Sequence, residues 1–323
     1  MKILEYDEIE WQQALELNLV GFDWYLTPDL VEKILKADKR VPEGYAIYAT
    51  EGKTVLGQVG ILVDTVQTIS GMEKLGYLWT IVTKPGSTNK GIATRLIEEA
   101  HSRLISQNVR YSFLGTQKSL VAYNLFKKLG YSDLIDHNMG LKSCSNVPPN
   151  SAEHKSTGIR LLREIRTSFD DETIMNMFSK YATGLLGFVH RPQNFLSIRK
   201  AWGWMPVNLI CVFQKENESV GYLLGTKEDN SIKIRELICV NPLDLSACIL
   251  AVEKELRPRY IIFDFTSREC VISKLANVGF RFIRPTYATY MIKDLTRERS
   301  IEEIRNSFSV KNDKFQMSII DYY

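Results

Sequence analysis

The chain has 323 residues, 45% of them hydrophobic, which exceeds the needs of one compact domain and suffices for two buried cores. Its 41 Lys and Arg stand against 38 Asp and Glu, and a net charge of +3 points to neither a nucleic-acid nor a membrane partner. The five cysteines (Cys144, Cys211, Cys239, Cys248, Cys270) show no Cys-x-x-Cys spacing and no flanking His that would complete a metal site, so reduced thiols and no metal are expected.

A short strand is predicted over Met1 to Glu5, followed by a helix in which Trp11, Leu15 and Leu19 recur at intervals of four. A second helix starts at Thr27-Pro28, where Thr suits the N-cap and Pro the first turn. Strands at Tyr45 to Thr50, Val55 to Thr68 and Met72 to Thr83, separated by Glu51-Gly52 and Ser70-Gly71, form an antiparallel meander. The clearest helix runs from Gly91 to Ser106, with Ala93, Leu96, Ile97, Ala100 and Leu104 on one stripe. A strand at Arg110 to Gly115, a helix from Ser119 to Leu129 and a strand pair around Ser132 to Leu141 complete the first half.

Residues 144–158 hold Pro148-Pro149-Asn150-Ser151 and almost nothing apolar, the composition of a linker. The same order of elements then returns. A strand at Ile159 to Glu164 and helical segments to Arg199 precede strands at Asn208 to Lys215, Val220 to Lys227 and Lys233 to Val240. A helix at Leu245 to Leu256, a strand at Tyr260 to Phe265, a helix at Cys270 to Val278 and strands around Phe280 to Lys293 follow. Leu129-Gly130-Tyr131 and Val278-Gly279-Phe280 occupy equivalent places, so a tandem repeat is the economical reading. The expected domains are 1–143 and 159–294, joined by the linker 144–158 and followed by a tail, 295–323. That tail carries a weak helix near Ile301 to Phe308 and an apolar ending, Phe315 to Tyr323, expected to dock as a strand.

Chemistry concentrates where the strand ending at Thr83 passes through a small-residue loop into the helix at Gly91. Backbone N–H groups at such a helix start have no intrahelical partner and carry the positive end of its dipole, which suits a diphosphate. Gly91 lacks the Cβ that would obstruct approach, and Lys90, Thr88 and Thr94 offer side-chain contacts.

This strand, loop and helix resemble the cofactor-binding core of the GNAT superfamily of N-acetyltransferases. Its pattern is Val-x-Pro, two residues, Arg or Gln, two residues, Gly, one residue, Gly or Ala. Thr83-Lys84-Pro85 and Thr88-Asn89-Lys90-Gly91-Ile92-Ala93 stand at its two parts, with Thr88 departing from Arg or Gln. A second landmark, Asn-x-x-Ala-x-x-Leu-Tyr-x-x-Leu-Gly-Phe, is matched from Ser119 through Ala122, Leu125, Phe126, Leu129 and Gly130 to Tyr131. The resemblance covers residues 1 to 142 and extends more weakly over the second half.

It implies an α/β (α+β) fold: two tandem GNAT-like domains, each a mixed, mostly antiparallel sheet flanked by helices. It also implies acetyl-CoA as acyl donor, transferred by direct attack of a small-molecule or peptide amine. Ile81, Val82 and Thr83 would offer backbone to the pantetheine arm, and Thr88, Asn89, Lys90, Gly91, Ile92, Ala93 and Thr94 would hold the diphosphate, with Ser119 and Phe126 nearby. The family's thiolate-protonating Tyr falls on Phe126; Tyr123, one turn earlier, Tyr111 or a water are the substitutes. The family's Glu base falls on Tyr77, leaving Glu73 or a water-mediated route, and Glu73 reads equally as a solvated turn carboxylate.

Among the histidines, His101 is expected to face solvent, His154 lies in the linker, His190 shows no pairing, and His137 adjoins a strand that can border the cleft. The second half's loop, Cys239-Val240-Asn241-Pro242-Leu243-Asp244, contains no glycine, and Asp244 competes with any diphosphate; this copy is expected to have lost the cofactor. A non-catalytic acyl-CoA-binding protein is the alternative, while a nucleotide module lacks its Gly-Lys-Ser/Thr signature. Two fused copies favour a monomer over a dimer. The acidic N-terminus and the absence of an apolar run of about 20 residues lead to a cytoplasmic expectation.

Overall fold

The computed structural model describes residues 1–41, 46–144, 158–163, 171–203 and 207–322. In chain order the elements are β1 (Lys2–Leu4), α1 (Trp11–Phe22), α2 (Pro28–Ala37), β2 (Ala46–Glu51), β3 (Thr54–Thr68), β4 (Gly71–Thr83), α3 (Ile92–Ser106), β5 (Tyr111–Gln117), α4 (Val121–Lys128), β6 (Ser132–Asp136) and β7 (Gly140–Ser143). Then follow β8 (Ile159–Arg163), α5 (Asp171–Ala182), β9 (Leu186–Gly187), α6 (Phe195–Trp202), β10 (Leu209–Lys215), β11 (Glu218–Glu228), β12 (Ser231–Cys239), α7 (Leu245–Leu256) and β13 (Tyr260–Phe263). The chain closes with α8 (Glu269–Asn277), β14 (Arg281–Phe282), β15 (Ala288–Asp294), α9 (Ile301–Ser307), β16 (Phe315–Gln316) and α10 (Ile319–Tyr322).

Two compact units result, each with its own sheet: Met1–Asp136 with Tyr287–Ser307, and His137–Thr286 with Phe308–Tyr323. The first sheet runs β1-β2-β3-β4-β5-β15-β6 and the second β14-β7-β13-β12-β11-β10-β8. Within these orders every ladder is antiparallel except one in each sheet, β4 with β5 and β12 with β13. This is the mixed, mostly antiparallel architecture expected of a tandem repeat.

One expectation needs correction. The strand pair around Ser132 to Leu141 does not close the first sheet on itself. β6 pairs with β15, and β7 pairs with β13 and β14, so each sheet takes one strand from the other half of the sequence. Local hairpin pairing needs a tight turn, and His137-Asn138-Met139 supplies none of the Gly or Asn-Gly chemistry that reverses a strand. The linker at 144–158, including His154, lies from residue 145 to 157 outside the described residues, as does Glu164 of the strand expected at Ile159 to Glu164. The tail docks, but its ending is a two-residue strand, β16 on β9, followed by the helical turn α10.

In the first unit α3 lies against β2, β3 and β4 and buries Ile92, Leu96, Ile97, Ala100 and Leu104 with Leu78, Leu114 and Phe126. Gly76 leaves the space that Leu104 fills. His101, expected in solvent, is only 6% exposed. It stands four residues after Ile97 and three before Leu104, on the apolar face, and its Nε2 meets the Tyr131 hydroxyl at 2.7 Å while Ser112 meets the same hydroxyl at 2.5 Å. The opposite face carries Tyr77 edge-on to Phe113 (5.5 Å) and Phe113 stacked on Tyr290 (5.7 Å).

The second unit buries an ionic cluster. Arg191, its side chain 3% exposed, binds Glu236 at 2.5 Å and Asp321 at 2.7 Å, donates to the Tyr222 hydroxyl, and lies over the Phe178 ring at 3.7 Å. Burial raises the Asp321 carboxyl above its ordinary value, with Arg191 opposing and Glu236 reinforcing.

Two outcomes follow. Arg191→Leu leaves two buried carboxylates uncompensated and should lose about 3–5 kcal/mol in urea denaturation. His101 has its basicity lowered to about 4, by burial first and by Lys293 second. The unfolded imidazole binds its proton near pH 6.5 and the folded one only near 4, so stability is complete above pH 6.5 and declines as the pH falls towards 4. Between pH 7 and pH 5 this amounts to about 2 kcal/mol, and His101→Gln should lose that much less than wild type over the same interval.

Candidate active site

β4 and β5 pair only from Leu75–Tyr77 to Tyr111–Phe113, although β4 continues to Thr83 and β5 to Gln117. Beyond Tyr77 the two strands part, and β4 runs on to Thr83 outside the ladder with β5. The cause lies on the other side of β4. There Gln58 faces Val82 while Gly60 faces Trp79, so Thr80 and Ile81 together oppose Val59: a β-bulge. Thr80 takes φ 43°, a left-handed conformation that a β-branched residue rarely adopts.

Small and polar residues on β3 and α1 make this bulge possible. An ideal Cβ at Gly60 would lie 2.5 Å from Trp79 Nε1 and 2.8 Å from Thr80 Oγ1, so only glycine admits the bulged residues. Next to it, Asn18 of α1 and Gln58 of β3, both fully buried, exchange amide hydrogen bonds at 3.1 and 3.0 Å. Gly21 lets α1 approach Val82, and Trp24 packs on Trp79 with ring centroids 5.7 Å apart.

The loop after β4 is built by its own turn chemistry. Ser87 N–H donates to Lys84 C=O at 3.0 Å across Pro85-Gly86, with Gly86 at φ 81°, the geometry of a type II turn. Asn89 (φ 62°) and Gly91 (φ 73°) bring the chain into α3. No side chain caps that helix, and its first backbone bond is Arg95 N–H to Gly91 C=O, so the amides of Ile92, Ala93 and Thr94 have no acceptor within it. Nothing lies within 4 Å of where a Gly91 Cβ would stand, and Thr88, Asn89, Lys90 and Gly91 are exposed. An open row of amides at a helix start, beside a lysine and next to the end of a strand that has left its parallel neighbour, fits a diphosphate joined to an extended arm.

Not all predicted site residues come together here. Ile81, Val82 and Thr83 line the parting strand, and residues 88–94 form the loop. Ser119 is exposed just before α4, and Phe126 is buried in the core under α4, 3% exposed. Tyr77 is fully buried against Phe113. Tyr123 donates to Asp133 Oδ2 at 3.1 Å and carries Lys127 over its ring, which directs its hydroxyl to β6, two strands beyond β5. Glu73 sits ten residues before Thr83, about 33 Å along the strand, and is ion-paired to Arg299 at 3.1 Å and Arg110 at 3.6 Å. His137 lies in the second unit, its Nε2 3.8 Å from Asp264 and its ring 5.2 Å from Phe265; His190 is exposed. Thr80, Gly60 and the Asn18–Gln58 pair were not singled out from the sequence. The close glycines Gly57 and Gly60 inside one strand were the available signal.

The second unit repeats the parting and closes it. β12 pairs with β13 from Ser231–Ile234 to Tyr260–Phe263, and β12 then runs on to Cys239. Into this gap comes the tail: Ser267 Oγ donates to Phe315 C=O at 2.9 Å, Met317 N–H donates to Ser267 Oγ at 3.2 Å, and Ser318 Oγ donates to Arg235 C=O on β12 at 3.2 Å. A void of about 20 Å³ remains between Glu236, Phe263, Phe265 and Met317. Asn241 caps Leu243 N–H in the short turn before α7, and Asp244 binds Lys215 at 3.1 Å. Among the described residues no cluster of His, Cys, Asp and Glu could hold a metal, and no helix is long and apolar enough to cross a membrane.

Residues 6–131 match the model of the acetyltransferase (GNAT) family. No curated protein is similar to the chain in sequence. Among solved structures, a conserved protein from Enterococcus faecalis, described as a probable N-acyltransferase, superposes with TM-score 0.65 at 13% identity, covering 91% of this chain and 72% of its own. A GCN5-related N-acetyltransferase from Anabaena variabilis gives TM-score 0.64 at 13% identity, with 91% and 72% covered. A tandem GNAT protein from the clavulanic acid biosynthesis pathway gives TM-score 0.56 at 12% identity, with 91% and 98% covered. With the strand parting, the glycine loop and the repeated sheet in place, residues 6–131 are a domain of the acetyltransferase (GNAT) family within a chain of tandem GNAT fold.

Proposed function

We propose that the chain is an N-acyltransferase that moves an acetyl group from acetyl-CoA to an amine, using one donor site, in the first unit. The observation that supports this most is the conjunction of two features on one strand-loop-helix segment. β4 loses its neighbour after Tyr77, and the uncapped amides of Ile92 to Thr94 start six residues beyond the Pro85-Gly86 turn. A pantetheine arm is an extended amide chain and can pair with Ile81 to Thr83 as a strand would. The diphosphate then meets the amides of α3, with Lys90, Asn89 and Thr88 contributing from the exposed side.

Acetyl-CoA supplies the activated thioester; the new bond joins the amine nitrogen to the acetyl carbon as the carbon–sulfur bond breaks. The chain's part is to hold the donor extended, orient the thioester and present its carbonyl oxygen to a β4 amide near the bulge. Tyr123 and Glu73 are committed elsewhere, and Phe126 has no proton to give, so the proton released by the amine and the one taken by the thiolate pass through solvent in the open slot. The second unit holds no donor in this reading, because the tail fills the corresponding gap and Asp244 stands at the helix start.

The commitment of Tyr123 to Asp133 also favours a second reading, an acyl-CoA-binding protein without turnover. Titration calorimetry with acetyl-CoA should show one site per chain in both readings, abolished in Gly91→Glu, whose carboxylate enters the anion cradle at a φ that disfavours any side chain. Two sites, or none, would overturn the assignment. Thiol release with a panel of amines separates the two: turnover identifies the transferase, binding without it the sensor. Gly60→Ala, which drives a Cβ into Trp79 and Thr80, should destabilise the unit by about 1–3 kcal/mol in urea and weaken acetyl-CoA binding by displacing the bulge.

A further inference from the structure

A cavity of about 380 Å³ opens at the other end of the first unit's sheet, below α4 and beside the last residues of β15. Asp294 pairs with Tyr111 at the start of β5, whereas the donor slot opens past Phe113 towards Gln117; Tyr111 and Gln117 are six residues, roughly 20 Å, apart along the strand. The cavity is therefore separate from the acyl-CoA site and does not depend on that site's assignment.

Its charge is unbalanced. Lys128, Lys293 and Arg297 line it, and none of the three forms an ion pair among the described residues. Asp294, the one lining carboxylate, is consumed: it accepts from Thr296 N–H at 3.0 Å, Thr296 Oγ1 at 2.7 Å and Arg299 N–H at 3.0 Å, and it pairs with Arg110 at 3.3 Å. Arg299, also in the lining, is spent on Glu73 and the Tyr111 hydroxyl. Lys293 is half-buried against Gly130, with its amine 3.9 Å from where a Cβ there would stand. Burial lowers its basicity, Arg297 lowers it further, and Glu98, which forms no ion pair with it, offsets only part. A protein does not hold a partly desolvated ammonium beside a guanidinium without expense, and the expense is recovered only when an anion enters.

We propose that this cavity binds a compact phosphorylated small molecule, its phosphate held by Lys128, Lys293 and Arg297. The planar guanidinium of Arg297 suits two phosphate oxygens at once, while the two ammonium groups act as point charges that can turn towards the third. Leu129 and Ile292 form apolar wall beside the cations, so the ligand's body is small and not itself highly charged.

The test is a thermal-shift and calorimetric titration of the full chain with inorganic phosphate, with chloride at matched ionic strength as control. Wild type should show a saturable rise in melting temperature that chloride does not reproduce. Lys293→Gln/Arg297→Gln should weaken binding about ten-fold or more, from the loss of two charge-assisted contacts, while its melting temperature without phosphate stays at or above that of wild type because the mutual repulsion is gone. Lys128→Gln, an exposed change, should weaken binding in the same direction. Lys90→Gln, in the diphosphate loop, should leave unchanged the part of the phosphate response that the double variant removes. A response abolished by Lys90→Gln and kept by the double variant would place the anion at the loop and overturn the proposal, as would a response that chloride matches or no response at all.

Discussion

A parallel ladder that stops while both strands continue is an unstable arrangement, because every N–H and C=O on the parted edges has to find another partner or stay in water. In the first unit the parting is enforced from behind, by the bulge that Gly60 admits at Thr80 and Ile81 and that the buried Asn18–Gln58 pair fixes against α1. A left-handed threonine costs of order 1–3 kcal/mol, so the surrounding core has to over-determine it. The exposed loop follows from the same constraint. Once β4 leaves β5, its end is free to turn through Pro85-Gly86 and deliver an uncapped helix beside the opening.

The second unit meets the same constraint with the opposite solution. Its parted edge is covered by chain, through Ser267 and Ser318, and the covering segment is anchored by Asp321 on Arg191. Phe315, Met317, Ile319 and Ile320 are nearly fully buried, which makes the plug a piece of core and not a loosely laid strap. In this unit the opening beside β12 is filled, and the apolar tail supplies the filling.

Much of this was legible in the sequence. Periodicity and turn residues placed nearly every element, the repeat was visible in paired Gly-aromatic landmarks, and the glycine turn into α3 was read from Pro85, Gly91 and the helix after them. What escaped was whatever depends on pairing across distance. A strand carries no mark of its neighbour, so β7 and β15 could not be assigned to each other's sheets from local pattern. The bulge escaped because Thr80 is an ordinary strand residue by composition. His101 escaped for a different reason: its spacing from Ile97 and Leu104 put it on the buried stripe, and its polarity argued against that, until Tyr131 and Ser112 provided partners that only the fold reveals.

The candidate acid and base show why spacing alone does not fix side-chain roles. A cradle of amides survives almost any side-chain change, since its donors belong to the main chain and its only strict need is room, which Gly91 gives. A catalytic hydroxyl or carboxylate depends on what its tip meets. Tyr123 lies one helical turn from the family's position, but Asp133 and Lys127 take its hydroxyl and ring; Glu73 shares the strand with the slot, but Arg110 and Arg299 hold it at the far end. Competition from a nearby charge decides each case, and a one-dimensional pattern does not contain that competition. The proposed donor site therefore rests on geometry that the main chain itself provides, and any side-chain role on partners that have to be read from the fold.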